Sequence, residues 1–85
     1  MTKNKILVLS TQSGDWEGLF IDGKLISEGH KLGEGNSKKF WIDMCKKYEL
    51  LYEDIVEKEL NYEDEQYMDL YGGFPTILSE LKGDY

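Results

Sequence analysis

Eighty-five residues, with hydrophobic side chains at 40% and charged ones at 32%, describe one globular domain: too short for a second core and too apolar for a disordered chain. Seventeen acidic residues against ten basic ones leave a net charge of −7, so direct nucleic-acid binding is not expected, because a phosphate backbone repels such a surface. No hydrophobic run approaches the ~18 residues of a membrane span, and the opening MTKNKILVLS is too short for a signal peptide. No membrane partner and a cytoplasmic location are therefore expected.

A core this small is commonly reinforced by disulfides, metal or oligomerisation. Cys45 is the one cysteine and His30 the one histidine, so no intrachain disulfide can form. No metal site and no cofactor are expected, and self-association as a homo-oligomer is the support that remains. Charge is unevenly spread: residues 1–48 hold eight lysines and six acids, net +2, whereas residues 49–85 hold two lysines and eleven acids, net −9.

In chain order, residues 5–10 (KILVLS) form a continuous apolar run, which suits a central strand buried on both faces. Residues 11–15 make a polar turn. Residues 16–21 and 24–30 follow as two strands joined by Asp22-Gly23, a dipeptide that favours the positive φ a type I′ hairpin turn requires. A two-residue turn there pairs Ile21 with Lys24, Phe20 with Leu25, Leu19 with Ile26 and Trp16 with Gly29. Alternation places Trp16, Phe20 and Leu25 on one face, with Gly18 leaving space between the rings, and Leu19, Ile21 and Ile26 on the other.

Gly33 and Gly35 break the strand pattern, and Asn36 or Ser37 is a natural helix N-cap. Phe40, Trp41, Met44, Tyr48 and Leu51 then recur on one face of a helix over residues 37–51. Residues 48–61 read two ways: the helix continues, or it stops near Glu49 and residues 55–60 form a fourth strand. The strand is preferred, since it covers the open edge beside the first strand. Residues 62–71 read as a short acidic helix capped by Asn61, with Glu63, Asp64 and Glu65 in its first turn. Gly72-Gly73-Phe74-Pro75 stops it, and residues 76–81 have room for one or two helical turns. The expected fold is α+β, a three- to four-stranded antiparallel meander with one main helix packed on a face and a short acidic C-terminal helix.

Two stretches carry candidate chemistry. The acidic segment interleaves tyrosines with carboxylates: Tyr52, Glu57, Glu59, Tyr62, Glu63, Asp64, Glu65, Tyr67 and Asp69. It is either a solvated face or an interface in which tyrosines supply rigid contact area and carboxylates steer a host protein with a basic surface. Its spacing is not that of a calcium loop. The alternative site is the connection holding Gly33, Gly35, Asn36, Ser37, Lys38 and Lys39, where backbone N–H groups at a helix start, flanked by Trp16 and Trp41, would take a nucleotide or another anionic small molecule. It is not a Walker A loop, and an ordinary capped β–α connection with solvated lysines is the preferred reading. His30 beside Asp15 or Glu28 has no catalytic spacing, and Cys45 reads as a small apolar packing residue. No catalytic residues are assigned.

The chain has no arginine and no alanine and is short, acidic and rich in lysine and tyrosine. In those respects it resembles small accessory proteins of phages and mobile elements that infect low-GC bacteria. That resemblance implies a non-enzymatic inhibitor of a host defence or nucleic-acid-handling protein. The alternative is a nucleotide-sequestering protein.

Overall fold

The computed structural model describes residues 5–33 and 35–85, with the side chain of Tyr52 outside that description. Strands β1 (Ile6–Ser10), β2 (Glu17–Ile21) and β3 (Lys24–Gly29) lead into helix α1 (Ser37–Tyr48). A 3-10 turn (Tyr52–Asp54), strand β4 (Ile55–Glu59), helix α2 (Tyr62–Tyr71) and a second 3-10 turn (Leu78–Glu80) follow. The fold is α+β, as its periodicities imply, and the sheet order is β3-β2-β1-β4.

The fourth strand is present, but it runs parallel to β1, with Ile6 opposite Ile55 and Ser10 opposite Glu59. β1, β2 and β3 form the expected antiparallel meander, and the parallel fourth strand makes the sheet as a whole mixed. The reason is α1: it carries the chain back across the sheet, and a crossover of that length returns the next strand in the same direction.

β1 is buried along Ile6, Leu7, Val8 and Leu9, because both faces of the sheet are covered. On one face Leu7, Leu9 and Phe20 meet Leu60, Met68 of α2, Phe74 and Leu81. On the other, Ile6, Val8, Leu19 and Ile21 meet Leu32 and Leu50, with Phe40, Trp41, Met44, Cys45 and Tyr48 of α1 packed half-buried against them. The apolar alternation of β2 thus feeds both layers.

Asp22 and Gly23 both have positive φ, 51° and 81°, as a type I′ turn requires. Ile21 pairs with Lys24 and Phe20 with Leu25, but a bulge then shifts the register so that Leu19 faces Ser27, Gly18 faces Glu28 and Glu17 faces Gly29. The expected Leu19–Ile26 and Trp16–Gly29 pairs do not form. One residue is extra on β3, and everything beyond it changes side. The consequence is local: Glu28 joins the Phe74 face, where its Oε1 accepts from the Trp16 indole N–H and from the Phe74 backbone N–H, each at 2.9 Å.

α1 is shorter than its apolar period suggests. It stops at Tyr48, where Glu49 adopts a left-handed conformation and returns its N–H to the Cys45 carbonyl. That turn buries Leu50 and leaves Leu51 exposed. α2 has the expected bounds, with the Asn61 side chain accepting from the Asp64 N–H at 2.8 Å and Gly72 as its left-handed C-cap. Phe74 then plugs the core edge-on to Phe20, 5.7 Å between centroids. The last segment runs along the start of β3, Leu25 N–H donating to Thr76 O and Leu78 N–H to Gly23 O. Among the described residues, β4 is the sheet edge left uncovered.

Candidate interaction surface

α2 is an acidic helix with an inverted wheel. Of its carboxylates, Asp64 points inward and is 2% exposed. Its Oδ1 accepts from the Lys82 N–H at 2.8 Å, and its Oδ2 accepts from the Gly83 N–H at 2.8 Å and the Tyr85 hydroxyl at 2.6 Å. The Tyr85 oxygen in turn accepts from the Asn61 N–H at 3.0 Å. Burial alone would raise the Asp64 pKa, but the Tyr85 hydroxyl and the two backbone N–H groups outweigh it and hold the carboxyl below its ordinary value. Burial, and then the hydrogen bond to Asp64, pushes the Tyr85 phenol up to about 12. Asp64 is thus a latch between helix and tail, not a member of an exposed acidic face.

With Asp64 and Met68 turned inward, large side chains are turned outward. Tyr62 is 70% exposed, Leu70 76% and Tyr71 67%. Tyr62, Gln66 and Leu70 share one row at i, i+4 and i+8, flanked by the exposed carboxylates of Glu63 and Asp69. Tyr71 leans on the half-buried Tyr67, 4.5 Å between ring centroids. Glu63 meets the Lys82 ammonium at 3.9 Å with both side chains exposed, a geometry that contributes little to stability. Glu65 is half-buried and accepts from the Gln12 N–H.

The remaining acidic positions lie elsewhere. Glu57 and Glu59 are exposed on β4, and their register opposite Val8 and Ser10 places them on the α1 side of the sheet. The contiguous acidic segment is therefore divided by the sheet, and the structure brings together only its α2 portion. Tyr52 begins the 3-10 turn before β4, and its side chain is not among those described.

The alternative ligand set is not gathered either. Trp16 packs on the α2 side of the sheet and Trp41 on the α1 side, so no one molecule can stack on both. Asn36 spends its side-chain oxygen on the Lys39 N–H at 3.1 Å. A Cβ on Gly33 would lie 2.4 Å from the Phe40 Cβ and 2.9 Å from the Ser37 Cα, so that glycine admits the helix rather than a ligand. Gly35 has positive φ with open space around it, and Ser37, Lys38 and Lys39 are exposed. His30 stands edge-on to Trp16 at 4.8 Å and its Nδ1 lies 3.2 Å from the Asp15 backbone carbonyl. Neither the Asp15 carboxylate nor the Glu28 carboxylate pairs with it.

Sequence reasoning missed Leu70 and the flank of α1. Leu70 reads as core only if Asp64 is assumed to face water. On α1, Lys38, Trp41, Ile42, Cys45 and Lys46 line a shallow groove of about 590 Å³, a feature the wheel alone shows as the margin of the buried stripe. Among the described residues, no cluster of three or more His, Cys, Asp or Glu side chains is placed to hold a metal ion, and no helix is long and apolar enough to cross a membrane. The chain matches no protein-family model, no curated protein and no solved structure.

Proposed function

We propose that this chain is a non-enzymatic binding protein that lays the outer face of α2 against a basic surface of a bacterial host protein and blocks it, as phage accessory inhibitors do. The observation that carries the reading is the exposure of Tyr62 and Leu70 in one row of α2 with Gln66 between them and Glu63 and Asp69 on its flanks. An exposed tyrosine and leucine flanked by carboxylates suit an apolar interface centre with a polar rim. The Asp64 latch fixes the helix, so little ordering cost is left for binding.

The test is a pull-down with the tagged chain from a low-GC bacterial lysate, washed at low and at high salt, alongside a Tyr62→Ser/Leu70→Ser variant. A basic protein retained at low salt, released at high salt and missed by the variant supports the reading, since exposed charges are screened within about 8–10 Å at physiological ionic strength. Equal retention by the variant overturns it. With the target in hand, Glu63→Gln with Asp69→Asn is expected to slow association several-fold and leave dissociation nearly unchanged.

A further inference from the structure

The α2 row and the α1 groove are complementary to each other. α1 carries Lys38, Lys39, Lys46 and Lys47 against Asp43, and the exposed carboxylates flanking the α2 row are Glu63 and Asp69, with no basic residue on that helix. The groove has an apolar floor of Trp41, Ile42 and Cys45 with a lysine toward each end. Lys38 and Lys46 are eight residues apart, about 12 Å along the helix axis, and Glu63 and Asp69 on α2 are six residues apart, about 9 Å. Ile42 is 46% exposed beside this floor. The two surfaces cannot meet within one molecule, because α1 and α2 cover opposite faces of the sheet.

We infer that the α1 groove is the docking site for α2 of a second copy, giving head-to-tail self-association. This rests on the reading of α2 as a docking surface and names one occupant for it. The contact is heterologous: each copy uses its groove on one side and its α2 row on the other, so growth continues unless the rotation happens to close a ring. A single helix laid in a shallow groove buries less than the roughly 800 Å² per partner of a standard interface. The association is accordingly weak and concentration-dependent, and a host protein with a basic apolar groove would compete for the same α2 row.

The experiment is sedimentation velocity on the full chain over a micromolar to high-micromolar series, at low and high salt, with Ile42→Asp and Leu70→Asp variants confirmed as folded by their melting curves. Both positions are exposed, so the fold is expected to survive. The wild type should show a rising, open-ended weight-average sedimentation coefficient that falls at high salt, and each variant alone should remain monomeric. An equimolar mixture of the two variants retains one intact groove and one intact α2 row, so it should form dimers and nothing larger. A wild type that stays monomeric throughout overturns the inference, as does a mixture that stays monomeric or a single variant that still associates. Host-protein capture lost in Leu70→Asp but kept in Ile42→Asp, with a monomeric wild type, would sink self-association while leaving the proposed function standing.

Discussion

Replacing Asp64 by alanine tests the view that one buried carboxylate ties the C-terminal segment to the domain. The substitution removes the acceptor for the Lys82 N–H, the Gly83 N–H and the Tyr85 hydroxyl at once. A hydrogen bond to a charged group contributes about 1.5–3 kcal/mol, so three would sum to about 4.5–9 kcal/mol. The measured loss should be smaller, because Lys82 and Asp84 are exposed and the tail can detach and recover water. A net cost of about 3 kcal/mol follows, against a total stability of about 4–13 kcal/mol for a chain of this length. For a domain of this size that lowers Tm by about 12–24 °C. Urea and thermal melts read the effect, with Asp69→Ala as the control that makes the same charge change at an exposed site and should stay within about 0.5 kcal/mol. The pH dependence carries a sign as well. Asp64 has a lowered pKa in the folded state, so its contribution is present above the ordinary carboxyl value of 3.8 and is lost as pH falls through the lowered one. Tyr85 is raised to about 12, so its contribution is present below 10 and is lost as pH climbs toward 12. In Asp64→Ala the Tyr85 phenol should titrate at lower pH, visible as phenolate absorbance. A variant that melts with the wild type, with Tyr85 titrating unchanged, would refute the latch.

Gly18→Ala places a Cβ 2.6 Å from the Phe74 Cδ2, forcing the ring out of its edge-on seat against Phe20. The expected cost is about 1–3 kcal/mol, read by chemical denaturation and partly relieved when Phe74 is shortened to leucine. Glu57 and Glu59 charge the uncovered edge of β4; Glu57→Val with Glu59→Val should leave the melting temperature nearly unchanged and promote aggregation on heating, read by light scattering.

What was legible in the sequence is what short-range physics determines. The type I′ turn follows from Asp22-Gly23, the caps of α2 from Asn61 and Gly72, and the two-faced burial of β1 from an unbroken apolar run. The bulge opposite Leu19 was not legible, since no Gly or Pro marks it and both registers keep Leu25 and Ile26 on apolar faces. Its warrant is tertiary: only the shifted register delivers Glu28 to the Trp16 and Phe74 N–H groups. The direction of β4 escaped for a related reason, because strand periodicity is the same parallel or antiparallel and the crossover depends on where α1 lies. The end of α1 turned on whether Leu50 or Leu51 fills the core, a choice between neighbours of identical chemistry.

The acidic segment shows why charge counting fails to find a site. Glu57 and Glu59 guard a strand edge, Asp64 is consumed inside the fold, Glu65 holds the Gln12 N–H, and only Glu63 and Asp69 flank the exposed row of α2. A helix of ten residues has room for one inward stripe. Asp64 and Met68 occupy that stripe, and Leu70 lies outside it. The helix that anchors the tail through Asp64 exposes Tyr62 and Leu70 elsewhere on its circumference, with Met68 fixing it to the core. Loosening the latch should therefore release the tail first, while Met68 and Tyr67 keep α2 on the sheet.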